Sequence, residues 1–112
     1  MPFQLSQIQP SKSTIAPPDS LSLSFTLTAN IGTSYSVFYD LAENNNLFFQ
    51  LADGSTSKQV VNQGVMPTSV LAFNNVLTIV RKGPKVNSYI FIKVTARSQA
   101  NGDVKSCKIS TI

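Results

Sequence analysis

A chain of 112 residues, 42% apolar and 12% charged, has the length of one domain and enough apolar material for a single core, with about half the usual share of charge. That balance excludes disorder, which pairs low hydrophobicity with high charge. The missing charge is replaced by 15 Ser, 9 Thr, 9 Asn and 7 Gln, the net charge is +4, and there is one cysteine and no histidine, so an internal disulfide and a Cys/His zinc site are excluded as well.

Residues 1–19 hold four of the six prolines, Pro2, Pro10, Pro17 and Pro18, and read as an extended N-terminal arm. Its Phe3, Leu5, Ile8 and Ile15 are more apolar than a solvated tail needs. The arm is therefore expected to pack on its own domain as an edge strand or to dock on a neighbour. The segment has no basic n-region and no apolar h-region, so no signal peptide is expected. No apolar run approaches the ~20 residues of a membrane helix, so no membrane insertion is expected. No N-x-S/T acceptor occurs among the nine asparagines.

Residues 20–112 read as a single β-sandwich domain. In "LSLSFTLTAN", Leu21, Leu23, Phe25, Leu27 and Ala29 alternate with Ser22, Ser24, Thr26 and Thr28, the period of a half-buried strand. Further strands are predicted over 35–41, 47–52 and 57–62, with Asp53-Gly54 as a hairpin turn. "SVLAF" and "VLTIV" read as two strands joined at Asn74-Asn75, a pair suited to a tight hairpin. The longest strand is predicted over 87–97, and a turn at Asn101-Gly102 leads to a final strand over 104–112. About eight short strands and no helix imply an antiparallel sandwich, immunoglobulin-like or jelly-roll, whose last four strands form a meander.

"VRKGPKV" carries the densest charge, Arg81, Lys82 and Lys85, around a Gly-Pro step that reads as the solvated tip of a hairpin. Arg81, Lys82 and Lys85 are also candidate contacts for an acidic partner. A phosphate loop is excluded because no Lys-Ser or Lys-Thr step opens a helix there. Single-strand binders interleave aromatic rings with bases, and Tyr89 and Phe91 approach that pattern. Their alternation with Ile90 and Ile92 assigns them to the core instead.

Little chemistry remains. Without histidine the usual general base is missing, and no base is placed to activate a serine. Asp40 and Glu43 are the closest acids, and their loop reads as solvated rather than as a catalytic pair or a calcium site. Asp53 and Asp103 read as turn residues, and Cys107 as a buried or half-buried thiol. Tyr35, Tyr39 and Tyr89 read as sheet formers rather than sugar platforms.

The expectation is a non-enzymatic structural or assembly protein with no cofactor. The stretch between Asp19 and Asp40 is uncharged, and only Lys12 precedes Lys58, so the N-terminal half lacks the lysines that protect sheet edges. The concrete form is a small virion protein, a phage capsid decoration subunit that binds capsid protein and copies of itself through sheet edges and the arm residues Phe3, Leu5, Ile8 and Ile15. The alternative is an adhesion or ligand-recognition module of an extracellular or cell-surface protein. Nucleic acid, through Lys93, Arg97, Lys105 and Lys108, ranks below both.

Overall fold

A computed structural model of the chain describes residues 2–41, 48–84 and 87–112, and for residues 58–61 the backbone alone. Lys85, Glu43 and the predicted strand start at Leu47 lie outside the described residues. Ten strands occur among the described residues: β1 (Gln4–Leu5), β2 (Gln9–Pro10), β3 (Thr14–Ile15), β4 (Asp19–Thr28), β5 (Ser34–Leu41), β6 (Phe49–Leu51), β7 (Ser57–Val65), β8 (Val70–Arg81), β9 (Ser88–Arg97) and β10 (Gly102–Thr111). No helix occurs among the described residues. The strands form two curled sheets, ordered β1-β4-β8-β6, with β2 also on β4, and β3-β10-β9-β5-β7.

The all-β sandwich-like architecture agrees with the sequence. The strand count differs from eight for two reasons. The arm contributes three two-residue strands, and "SVLAF" and "VLTIV" are one continuous strand, β8. Asn74 and Asn75 pair in register with Ser24 and Leu23 of β4. A tight type I′ turn needs positive φ at both central residues, and no described non-glycine residue has it. Pairing along β4 therefore overrides the local turn chemistry.

The predicted meander is also replaced. β8 pairs with β4 and β6, whereas β9 pairs with β10 and β5 in the other sheet. The link that carries "RKGPK" is thus a crossover between sheets rather than a hairpin tip. Asp53-Gly54 does turn the chain: Gly54, at φ 90°, donates its N–H to the Leu51 carbonyl at 2.8 Å. That turn joins β6 of the first sheet to β7 of the second, strands that are not paired with each other. Between β9 and β10 the turn lies at 98–101, since Gly102 already pairs with Arg97.

The arm is woven into both sheets. It runs antiparallel along β4, with Leu5 opposite Leu27 and Pro10 opposite Leu23. Between these pairs, Ser6 donates its N–H to the Thr26 carbonyl at 2.9 Å and accepts the Thr26 N–H on its hydroxyl at 2.8 Å. Ser11 makes the same two bonds with Ser22, so these hydroxyls stand in for ladder carbonyls. A cis peptide joins Pro17 to Pro18. Before it, β3 lies parallel to β10, Thr14 opposite Ser110 and Ile15 opposite Thr111. This departs from the all-antiparallel expectation. Parallel neighbours need a long connection, and strands from opposite ends of the sequence have one.

The core lies between the sheets. Leu21, Leu23, Phe25 and Leu27 of β4 face Val37, Tyr39, Ile90, Ile92 and Val94 of β5 and β9. Leu5, Ile8 and Ile15 of the arm belong to the same cluster. Each such side chain removed from water contributes roughly 1.5–3 kcal/mol. A polar bridge also crosses this interior. The Asn75 amide of β8 points inward and donates to the Tyr39 hydroxyl at 2.5 Å and to the Asn62 side-chain Oδ1 at 2.8 Å. Burial pushes the Tyr39 phenol up to about 12, against the pull of the Asn75 bond.

Candidate functional site

In a sandwich whose inner faces are consumed by packing, the outer faces and loops remain for function. On β9 the even positions Ile90, Ile92, Val94 and Ala96 are buried, so Tyr89, Phe91, Lys93, Thr95 and Arg97 point outward. The assignment of Tyr89 and Phe91 to the core is therefore corrected. Both phases of "SYIFIKVTAR" are apolar at their start, and only the charges at Lys93 and Arg97 reveal which phase meets water.

Register assembles the face around this row. Lys108 of β10 lies opposite Phe91, and Ser106 opposite Lys93. On the other side Asp40 of β5 lies opposite Lys93, Phe38 opposite Thr95 and Ser36 opposite Arg97. The Lys108 ammonium sits 3.9 Å from the Tyr89 ring centroid and 5.9 Å from that of Phe91. Those two rings meet edge to face at 5.4 Å, and the Arg97 guanidinium lies 5.7 Å over Phe38. Among the described residues, three aromatic rings and three cations thus share one face with a single carboxylate, Asp40. At the Arg97 end the face runs into a shallow groove lined by Ser36, Phe38, Gln63, Arg97, Ser98 and Gln99.

The outer face of the first sheet has a different character. Ser20, Ser22, Ser24, Thr26 and Thr28 of β4 lie beside Thr78, Val76, Asn74, Ala72 and Val70 of β8. None of these ten side chains is charged. Val76 is 69% exposed and Val70 52%. The arm borders this face along the edge of β4, and Ser6, Gln7 and Gln9 line an uncharged groove with the strand residues Ser24, Thr26 and Asn74.

The predicted contact residues fall elsewhere. Leu5, Ile8 and Ile15 are at most 2% exposed, and Phe3 is half-buried against the same core, so in this fold their apolar surface is spent within the chain. Arg81 ends β8, where its Nη2 donates to the Ile112 carbonyl oxygen while Nη1 is buried without a hydrogen-bond partner among the described residues. Ile112 in turn donates its N–H to the Ile15 carbonyl, so Ile15 and Arg81 meet at one end of the sandwich. Leu5, opposite Leu27, lies toward the other. Lys82 is exposed.

The acids are tied into structure. Asp19 is held below its usual carboxylate range first by the Lys12 ammonium, 3.0 Å away, and then by the Ser20 N–H. Asp53 caps its turn through Ser55. Asp103, read from the sequence as a turn residue, accepts the Leu5 N–H at 2.8 Å and pins β1 to β10. Cys107 is half-buried, and burial pushes its thiol up to about 11. No cluster of three His, Cys, Asp or Glu able to hold a metal occurs among the described residues.

No protein-family model matches the chain, and no curated protein matches it. Among solved structures it is similar to the Pseudomonas fluorescens alkylpurine DNA glycosylase AlkC, bound to DNA containing an abasic site analogue, with 13% identity and a TM-score of 0.66 over 97% of this chain. It is also similar to Spo0M, a sporulation control protein from Bacillus subtilis, with 10% identity and a TM-score of 0.59 over 99% of this chain. The chain spans 30% of the first and 50% of the second. At such identities the likeness is one of fold.

Proposed function

We propose that this chain is a non-enzymatic β-sandwich module that works by its surfaces, as an assembly subunit docked on a protein partner. The observation that carries this reading is the outer face of β4 and β8, ten outward side chains without a charge, with Val70 and Val76 exposed in their midst. Large contiguous neutral faces with apolar members suit protein contact better than isolated solvation. The specific setting we propose is a virion, with the chain as a capsid decoration subunit against capsid protein. Composition supports that setting. The alternative is a recognition module at a cell surface or outside the cell.

The finer fold we propose is immunoglobulin-like rather than jelly-roll. The sheets β1-β4-β8-β6 and β10-β9-β5 resemble the A-B-E-D and G-F-C sheets of constant-type immunoglobulin domains. β7 stands beside β5 where variable-type domains add a strand, but it follows β6 in the chain.

The test is the native size of the material that contains the 12.1 kDa chain, read with wild type and with Val76→Glu. The expected result is co-migration of the wild type with a larger protein assembly, lost in the variant while its thermal midpoint is kept. Wild type running as a free small protein would sink the proposal.

A further inference from the structure

We propose that the outer face of β5, β9 and β10 is a binding site for single-stranded nucleic acid. This goes beyond assembly through the first sheet and uses a different surface. Binding of a single strand without sequence readout needs two things together: aromatic faces on which bases stack, and cations that follow the backbone. The face supplies Phe38, Tyr89 and Phe91 for the first and Lys93, Arg97 and Lys108 for the second, against one opposing charge among the described residues, Asp40.

Their arrangement is specific. Tyr89, Phe91, Lys93 and Arg97 follow one another along the outward phase of a single strand, so rings and cations succeed each other at about 6.7 Å per pair of residues. Lys108 and Arg97 lie over the Tyr89 and Phe38 rings by cation–π contacts, so a stacking base displaces these long, flexible cations from the ring faces and leaves them beside the backbone it brings. The groove at Phe38 and Arg97 extends the track past the end of the strand. A second copy of this chain would be a poorer occupant, because among the described residues Asp19, Asp53 and Asp103 are tied into structure and Asp40 is the one acid on this face. An anionic polysaccharide would satisfy the cations but leave the three rings without a planar π-face to stack on.

The experiment is fluorescence anisotropy of a labelled oligothymidylate of 15 nucleotides titrated with the whole chain. Saturable binding is expected, weakening about 20-fold from 50 to 200 mM salt, as release of about three phosphate counterions from a single strand predicts. Tyr89→Ala and Phe91→Leu are expected to weaken binding at least about fivefold at constant salt, within the range for loss of one stacked base. Lys108→Gln should weaken it and flatten the salt slope, and Lys12→Gln, outside this face, should change neither. Circular dichroism confirms that each variant is folded, and the exposed Tyr89 position keeps the test open if Phe91→Leu does not fold. No saturable binding at 50 mM salt overturns the proposal. So does binding that tracks charge alone, unchanged by Tyr89→Ala and matched by a heparin fragment of equal charge.

Discussion

Every outward side chain of β4 and β8 between Ser20 and Thr28 and between Val70 and Thr78 is neutral, whereas the outward row of β9 and β10 holds Tyr89, Phe91, Lys93, Arg97 and Lys108. The inner faces of β4 and β9 are interchangeable in kind, Leu21, Leu23, Phe25 and Leu27 against Ile90, Ile92 and Val94. Folding therefore constrains the two sheets alike, and the contrast between their outer faces is not needed for stability. A difference that the scaffold does not require is where specialised binding is to be sought.

The comparison can be broken first at its premise. Leu23→Ala and Ile92→Ala, both fully buried, are each expected to cost about 2–5 kcal/mol in urea denaturation, since each leaves a cavity. Ser22→Ala and Lys93→Ala beside them should stay within about 0.5 kcal/mol. A small loss at one inner position and a large one at the other would mean that the sheets do not share the core equally.

Next in size is the tie between the sheets' borders. Asp103→Ala removes the acceptor for the Leu5 N–H and is expected to cost about 2 kcal/mol, the scale of a bond to a charged acceptor. Faster amide exchange at Leu5 with unchanged protection at Ile92 would place the loss at the arm.

The inward polar bridge should cost less. Tyr39→Phe, which deprives Asn75 of one acceptor, is expected to cost about 1 kcal/mol at neutral pH. Its pH signature has a definite sign. The folded phenol titrates at about 12 against an ordinary 10.0, so the folded state holds this proton more tightly than the unfolded state. The stability linked to it is complete below pH 10 and is lost as pH rises towards 12. Tyr39→Phe should flatten that decline. Cys107, raised from 9.0 to about 11, adds an earlier loss between those values, which Cys107→Ala should remove.

Smallest are the contacts on the outer faces themselves. Lys108→Ala gives up the cation–π contact over Tyr89, worth about 0.5–1 kcal/mol at an exposed site. Thr78→Ala gives up the hydroxyl pair with Ser20 and should fall within about 0.5 kcal/mol. Double-mutant cycles for Lys108–Tyr89 and Ser20–Thr78 measure both, and a larger coupling on the first sheet would reverse the contrast.

How much of this is legible in the sequence depends on whether one phase of a strand is polar. In β4 the Ser and Thr positions leave no choice of face, and Leu21 to Ala29 are buried as expected. In β9 the run Tyr-Ile-Phe-Ile is apolar in both phases, so period alone does not orient it, and the sequence assigns the rings Tyr89 and Phe91 to the core while leaving Lys93, Arg97 and Lys108 outside. Asn74-Asn75 misled in another way, because local turn preference is weaker than ten registered pairs with β4. Nor do the arm's prolines and scattered apolar residues encode its partners, which lie at Leu27, Leu23 and Thr111, far along the chain.

The parallel pairing of β3 with β10 has a consequence for biogenesis. During synthesis Thr14 and Ile15 emerge early and must wait for Ser110 and Thr111 before their ladder can form. With partners this remote in sequence, closing the second sheet belongs late in folding and carries the slow kinetics of high contact order. Until then Ile15, fully buried in the finished fold, is open to water and to whatever else the cell offers it.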